Sequence, residues 1–532
     1  MIRFAKLYAA IDSTTRTNEK LAAMASYFSE ASAADAAWAT YFLSGNKPRQ
    51  IVPTKLLRRW AAVEAGIPDW LFDESYNAVG DLAETLALVV PPGELLEDLT
   101  LTTWIEQQLM PLRSNSEEEQ RHAITEIWSH TPAAVRLVVM KLVTGAFRVG
   151  VSKRLVTRAI AEVSGIPVDV VAHRLMGDWK PTPAFYGRLV HPDVQDTVAS
   201  QPYPFCLAHP VDAEHGPEAL GDSLQYVAEW KWDGIRGQLI RRLGMTFIWS
   251  RGEELMENRW PEVEAASEWL PDGTVLDGEI LATLSSGEVL PFAQLQRRIQ
   301  RKTVGKKLLQ EVPVVFQAFD LLEHEGQDIR SLPFVERRLR LEAVLLELNH
   351  PHLKLTRLVE GDSWGAWSSI REKSREVNAE GLMLKRKDAP YDVGRVRGTW
   401  WKWKVAPYSI DAVLIYAQKG HGKRASLYTD YTFAVWDGPL LVPVAKAYSG
   451  LEDTEIREVD RFIRQNTKES FGPVRSVEPK LVMEIAFEGL QRSTRHKSGV
   501  ATRFPRIARW RHDKQPTDAN TLQDVMALMS ES

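Results

Sequence analysis

Cysteine is almost missing from this chain: Cys206 is the only one among 532 residues. A lone thiol excludes an internal disulfide framework, and no Cys/His group shows zinc-ligand spacing, so a reducing cytoplasm is expected, with Cys206 a small buried side chain. Long apolar runs are missing too. Charged residues interrupt each one before it could span a bilayer, and Met1-Ile2-Arg3-Phe4-Ala5-Lys6 lacks a signal-peptide pattern, so no membrane residence is predicted. There is no period repeat and no low-complexity tract.

An excess of basic charge is also absent, the formal net charge being -4. That average hides local clustering. Arg297, Arg298, Arg301, Lys302, Lys306 and Lys307 crowd one short stretch, and 492–514 holds eight Lys or Arg against the lone Asp513. Either cluster is a solvated face or a surface for a polyanion, so global charge does not exclude a nucleic-acid partner. With 44% hydrophobic and 26% charged residues the composition is that of a globular protein, and the length exceeds what one core usually supports. A multidomain chain is expected.

The chain up to about residue 180 reads as helices. Ser116-x-x-Glu119 is a capping box ahead of Ile124, Ile127 and Trp128 on one face, and Thr131-Pro132 supplies an N-cap and first helical residue for the next helix. Gly66-Ile67-Pro68 and Gly165-Ile166-Pro167 follow apolar-periodic stretches, where a left-handed Gly, an apolar contact and a proline stop a helix. Arg148-Val149-Gly150-Val151-Ser152-Lys153-Arg154 puts free backbone N–H groups, a capping serine and three cations at a helix start, which suits a backbone phosphate as well as an ordinary capped turn.

Prolines 181, 183, 192, 202, 204, 210 and 217 then break the pattern, placing a domain boundary near 200. Beyond it, runs at 237–240, 275–281 and 312–322 mix with a charged helix at 333–347, as in an α+β domain. After about 405 strand signals dominate, at 410–416, 428–436, 440–447 and 481–487. Several short strands in so small a segment predict a β-barrel, with an OB-fold the leading candidate. The expected domains are 1–200, 201–405 and 406–532.

The chemistry centres on Glu229-Trp230-Lys231-Trp232-Asp233-Gly234-Ile235-Arg236. Lys-x-Asp-Gly-x-Arg alone has moderate specificity and fits a surface lysine before an Asp-Gly turn. Its flanks, 226–230 and 237–240, read as strands, so Lys231 is predicted at a strand end facing a cleft. An amine becomes nucleophilic when desolvation or nearby cations depress its pKa. In Trp400-Trp401-Lys402-Trp403-Lys404 two lysines share one strand face, interleaved with tryptophans that pack the other. Beside Lys231 they would lower its pKa and hold an α-phosphate. Val275-Leu276-Asp277-Gly278-Glu279-Ile280 and Ala379-Glu380-Gly381-Leu382-Met383-Leu384-Lys385 each set a carboxylate between glycine and apolar strand residues. Buried strand-end carboxylates have a partner or a job; Glu279 is assigned to ribose hydroxyls and Glu380 to a magnesium ion.

In order as well as kind, these motifs resemble the ATP-dependent DNA ligases of the covalent nucleotidyltransferase superfamily. The resemblance rests on Lys231 to Arg236, Ser250-Arg251-Gly252, Asp277-Gly278-Glu279, Phe316-Gln317-Ala318-Phe319-Asp320, Glu380 to Lys385, Trp401 to Lys404, and Arg503-Phe504-Pro505-Arg506 followed by Arg511-His512-Asp513-Lys514. Gly145-Ala146-Phe147-Arg148-Val149-Gly150 looks like the helical DNA-binding domain of the larger ligases, which extends the likeness over about 130–514. It implies an all-α DNA-binding domain, an α+β nucleotidyltransferase (ATP-grasp-like) domain and a β-barrel OB-fold domain, and is strongest for the bacterial three-domain form.

The resemblance further implies that Lys231 carries AMP, that Glu229 and Phe319 hold adenine, and that Arg236 and Arg251 contact the nucleotide and a 5′-phosphate. Glu279 would bind ribose and, with Glu380, Mg²⁺ or Mn²⁺. Arg397, Lys402 and Lys404 would contact phosphates, and Arg511 and Lys514 would orient the leaving pyrophosphate. Arg148, Ser152, Lys153 and Arg154 would meet DNA. The implied reaction seals nicked duplex DNA in three in-line phosphoryl transfers, with the barrel domain closing over ATP for the first and the helical domain completing a ring around the duplex. Such ligases found beside a DEXH-box helicase and a metallo-β-lactamase-fold exonuclease look closest, which suggests an accessory repair enzyme, monomeric, in a bacterial cytoplasm. An RNA ligase or capping guanylyltransferase shares the lysine motif but has no reason to carry the helical domain. A non-catalytic DNA-end scaffold would not need Lys231, Glu279, Glu380 and Lys402 together.

Overall fold

The computed structural model describes residues 1–46, 49–94, 97–192, 199–256, 258–299, 301, 304–420 and 426–530. Lys302 of the basic stretch lies outside them. The chain divides into two compact units, one of Met1–Ser152 with Ala406–Ser532 and one of Lys153–Val405.

Within the first unit, residues 1–152 are helical. The helix Glu117–Ser129 begins with the complete Ser116/Glu119 capping box, each side chain bonding the other's backbone N–H. Thr54–Glu64 stops at Gly66, φ +64°, where the amide of Ile67 returns to the carbonyl of Ala62. One expectation needs correcting. Thr131 does not cap the helix Ala133–Thr144: Pro132 occupies the N-cap without a side-chain bond, and the fully buried Thr131 hydroxyl donates back to the carbonyl of Ile127. Out of reach of water, the hydroxyl takes the carbonyl left open at the end of the preceding helix. Arg136, also fully buried, donates to the carbonyls of Val90, Pro91, Trp128 and Thr131, which ties these chain ends together.

Residues 406–532 of the same unit form a curved antiparallel sheet that fits an OB-fold. Tyr408–Lys419 lies at its centre, paired with Tyr428–Asp437 on one side and with Val474–Val477 and Val482–Phe487 on the other. Leu440–Ala447 extends one edge and Arg506–Trp510 pairs with Val482–Phe487. The helix Asp453–Gln465 closes the apolar interior with Val459 and Ile463, which pack among Leu414, Phe433 and Ile485.

The second unit contains two sheets. Four strands run in the order His209–Pro210, Trp400–Lys404, Ala379–Arg386, Tyr226–Trp232. The other sheet orders Met245–Ser250, Ile235–Arg242, Thr274–Ala282, Val314–His324 and Gln327–Asp328, with Leu353–Leu355 parallel to Val314–His324. Tyr203, Cys206, Ile240, Trp249, Leu322, Tyr391 and Trp400 make a shared apolar seam. The helices Pro261–Ser267 and Phe334–Leu348 cover the far face of the larger sheet through Val263, Ala266, Leu341 and Leu345. Trp401 and Trp403 pack with Trp367, Leu382 and Leu384, which leaves Lys402 and Lys404 on the opposite face, as their alternation predicts. Trp400 shares the lysines' side of the strand and is buried in the seam. No helix among the described residues is long and apolar enough to cross a membrane.

Candidate active site

Lys231 stands where one sheet hands the chain to the other. Tyr226–Trp232 ends beside it, Asp233-Gly234 turns, and Ile235–Arg242 continues in the larger sheet. The turn is tight: a Cβ on Gly234 would lie 2.5 Å from the carbonyl oxygen of Ile280 and 2.6 Å from Leu281 Cδ2. Gly381 is as constrained, with φ +142° and a hypothetical Cβ 2.3 Å from the Trp403 carbonyl oxygen. These glycines permit the approach that brings Glu380 and Lys404 to the lysine.

The Lys231 amine donates a hydrogen bond to Glu380 Oε2, and Lys404 Nζ lies 3.3 Å from the same oxygen. Burial pushes the Glu380 carboxyl up, but Lys231 and Lys404 outweigh it and hold it below the usual carboxylate range. Lys402 is pushed down, first by burial and then by Arg395, Lys404 and Lys231. Glu279, opposite Arg236 in the strand register, has its carboxyl pushed up to about 8 by burial, against the pull of Lys231 and Arg236. The structure therefore gathers Lys231, Glu279, Glu380, Lys402 and Lys404 into one neighbourhood. Arg395 joins them although no motif marks it: it lies in a loop two residues before Arg397 and carries no periodic signal.

The neighbouring side chains are locked in place by buried ion pairs. Arg236 makes two bonds to Asp277, 3.1 and 2.7 Å, and one of 2.7 Å to the Cys206 carbonyl, with its guanidinium over Phe205, Phe319 and Trp400. The Tyr391 hydroxyl donates to the same Asp277 at 2.6 Å. Glu229 lies 2.7 Å from Lys385 and 3.3 Å from Arg338, and burial pushes its carboxyl up. Lys385 also donates to the Phe319 carbonyl at 3.1 Å and sits over that ring, so one buried amine links Glu229 and Phe319. Asp320 is joined to Arg337 by bonds of 2.8 and 2.9 Å with both side chains fully buried. Lys385, Asp277 and Asp320 lie inside sequence motifs, but their partners are on distant segments that only the fold brings together.

Arg251 is exposed, its turn fastened by a backbone bond of 2.9 Å from its amide to the carbonyl of Arg236. It lines a cleft of about 1060 Å³ with Arg154, Arg330, Arg395, Lys402 and Tyr391. Arg397 is exposed in the turn before Trp400; after burial itself, Arg395, Arg397 and Lys402 are what push the His209 imidazole down, so these cations share one neighbourhood. At the start of the helix Lys153–Ser164, Lys153 donates to Glu253 and to the Leu175 carbonyl, and Arg154 donates to the Arg395 carbonyl. Arg148 and Ser152 belong to the first unit and are exposed. Arg511 and Lys514, in the same unit, converge on Asp411.

Among the described residues no group of three or more His, Cys, Asp or Glu could hold a metal ion. Glu279 and Glu380 still fit magnesium, which is commonly held by one or two carboxylates together with substrate phosphates and waters.

Chemically, a strand-end lysine on a carboxylate, with further cations and a desolvated carboxyl around it, suits covalent nucleotidyl transfer. Comparison with known families gives the chain's relatives. "DNA ligase N terminus" matches residues 1–161, "ATP dependent DNA ligase domain" residues 206–404 and "ATP dependent DNA ligase C terminal region" residues 424–514. The chain is 33% identical to the probable DNA ligase of Koribacter versatilis (strain Ellin345) over 97% of this chain and 94% of that protein. It is 26% identical to the DNA ligase of Thermococcus fumicolans, covering 90% and 88% respectively. The solved structure of Pmar-Lig_PreS3 shares the fold at 15% identity, with TM-score 0.59 over 95% of this chain and 99% of that one. The chain belongs to the ATP-dependent DNA ligase family.

Proposed function

We propose that the chain seals 5′-phosphate/3′-hydroxyl nicks in duplex DNA through a lysyl-AMP intermediate on Lys231. The observation that carries this reading is the convergence of Lys231, Glu380, Lys404, Lys402 and Glu279 at the junction of two sheets. Lys231 Nζ, once deprotonated, attacks the α-phosphorus of ATP; the P–N bond forms as the bond to pyrophosphate breaks. Glu380 is the acceptor already touching the proton that Nζ must lose. Lys402 and Lys404 steady the α-phosphate, and Glu279, which burial favours in its neutral form, offers a hydrogen-bonding group to the ribose. Arg511 and Lys514 face the departing pyrophosphate. AMP then passes to the 5′-phosphate at a nick, held by Arg236, Arg251 and Arg397, and the 3′-hydroxyl displaces AMP.

Glu229 and Phe319, tied together by Lys385, form the adenine pocket of this reading. Glu380, with Glu279 once it has given up its proton, would hold Mg²⁺ or Mn²⁺, which when bound neutralises charge on the phosphates. The helical domain to about 200 grips duplex DNA through Arg148, Ser152, Lys153 and Arg154, the α+β domain to 405 performs the chemistry on its ATP-grasp-like frame, and the OB-fold domain follows. The wider reading is accessory DNA repair by a monomer in the bacterial cytoplasm, alongside a DEXH-box helicase and a metallo-β-lactamase-fold exonuclease; the motif-level likeness to the bacterial three-domain ligases supports it.

Incubation of the purified chain with ATP labelled on its α-phosphate and Mg²⁺ tests the first step. Label should attach covalently to the wild type and not to Lys231→Ala, and the labelled enzyme should join nicked DNA. Uptake by Lys231→Ala, or sealing of nicked RNA alone, would overturn the reading.

A further inference from the structure

The last basic motif is anchored on a buried carboxylate two strands away in the sheet. Asp411, on the central strand Tyr408–Lys419, accepts two bonds from one Arg511 nitrogen, 2.9 and 3.0 Å, and one of 2.6 Å from Lys514. The carboxylate is largely buried, at 11% exposure, while Arg511 and Lys514 are 13% and 29% exposed. The remaining face of the Arg511 guanidinium is bidentate to Asp513 at 2.9 and 2.7 Å, and Asp513 is 66% exposed. Two cations and two carboxylates thus form a neutral quartet with one inner anchor and one outer, solvent-facing counterion.

The anchor is itself fastened. The Asp411 amide donates to Asn520 Oδ1 at 2.8 Å and its carbonyl accepts from the Asn520 amide at 2.9 Å. The segment after the motif therefore clamps the strand that carries the carboxylate, and the amide of Arg511 is bonded to the Val482 carbonyl on the next strand.

We propose that Asp411 is a positioning residue for nucleotide attachment: it keeps Arg511 and Lys514 aimed as a pair, while the exposed Asp513 side of the guanidinium is the one that exchanges its partner for the phosphates of ATP. This rests on the assignment of Arg511 and Lys514 to the leaving pyrophosphate. Geometry and charge here make opposite predictions. Asp411→Asn makes the quartet more positive, so attraction alone predicts tighter ATP binding and no loss of rate. Loss of aim instead predicts a lower rate at saturating ATP with KM unchanged or reduced, since a misplacement of about 1 Å can slow an in-line transfer by about 100-fold.

Formation of lysyl-AMP should be timed for wild type, Asp411→Asn, Asp411→Glu, Asp411→Ala, Arg511→Ala and Lys514→Ala, and for Asp411→Asn combined with Arg511→Ala. The rate at saturating ATP should fall about 10- to 100-fold for Asp411→Asn without a rise in KM, and Asp411→Glu should recover part of the loss. The double variant should be slower than Arg511→Ala alone only by the lost aim of Lys514, so its loss should be smaller than the product of the two single losses. Single-turnover nick sealing by Asp411→Asn, loaded by long incubation with ATP, should lose far less than the first step. An Asp411→Asn rate equal to wild type while Arg511→Ala and Lys514→Ala are slow would overturn the proposal and leave the motif's assignment standing. Equal losses in loading and sealing, with Asp411→Glu no better than Asp411→Ala, would also overturn it, as a purely structural role. Wild-type loading by both Arg511→Ala and Lys514→Ala would remove the assignment beneath it.

Discussion

Lys385 and Glu229 face each other across 2.7 Å on neighbouring strands, both almost wholly shielded from water. Arg338 is the other cation on Glu229, at 3.3 Å. Truncating Lys385 leaves the buried Glu229 charge to the more distant Arg338, so Lys385→Ala should lower unfolding stability by about 3 kcal/mol in urea titrations. Glu229→Gln combined with Lys385→Met should cost less than Lys385→Ala alone. A cost below about 1 kcal/mol for Lys385→Ala, the range of exposed pairs, would contradict the buried pairing.

The Glu279 carboxyl, pushed up to about 8, sets a pH signature. In the unfolded chain this group ionises near the ordinary glutamate value of 4.5, so between there and about 8 unfolding releases a proton. The group's contribution to stability is full below pH 4.5 and shrinks as pH rises through that window, by about 1.4 kcal/mol per unit. Glu279→Gln does not titrate, so its melting temperature relative to wild type should climb steadily from pH 5 to pH 8. A gap that stays flat with pH would mean the carboxyl is ionised in the fold.

Gly234 has no room for a methyl group, and relieving the clash would move the turn that carries Lys231. Gly234→Ala should cost about 1–3 kcal/mol and reduce covalent AMP uptake by an order of magnitude or more. Gly365 is the control: it lies in the helix Trp364–Glu372 with open space around it, so Gly365→Ala should stabilise by roughly 0.4–1 kcal/mol and leave uptake alone.

Arg148 and Lys153 belong to one basic motif yet differ in their surroundings. Arg148 is exposed, whereas the Lys153 amine is already bonded to Glu253 and the Leu175 carbonyl. If Arg148 meets a DNA phosphate, Arg148→Ala should reduce the salt dependence of DNA binding by about one phosphate contact. Lys153→Ala should chiefly lower thermal stability and change the salt slope less. Equal slope changes for the two would show that the Lys153 bonds give way when DNA binds.

Much of the scaffold was legible because local chemistry and tertiary burial agree. The capping box at Ser116, the left-handed glycines at 66 and 165 and the strand runs around Leu239, Leu276 and Phe433 all sit where their patterns place them. Thr131 departs from its pattern because its burial, invisible in the sequence, turns its hydroxyl toward the helix behind it. The helix Asp453–Gln465 was passed over although Ile456, Val459 and Ile463 mark a helical face, and Thr467–Phe471 has too many exposed positions to show a strand's alternation. At the candidate site the motif residues Lys231, Glu279, Glu380, Lys402 and Lys404 lie near one another, but the pairs that hold their surroundings, Arg236 with Asp277, Glu229 with Lys385 and Arg337 with Asp320, join distant segments and become visible only once the strands pair.

Cys206 is fully buried, and burial pushes its thiol up to about 12, so at neutral pH it is both shielded and protonated. The natural sequence is therefore already a silent background for thiol-directed labelling. A cysteine placed at an exposed site such as Leu440 or Trp70 would be the sole reactive handle for a fluorophore or spin label, with no native residue to remove beforehand.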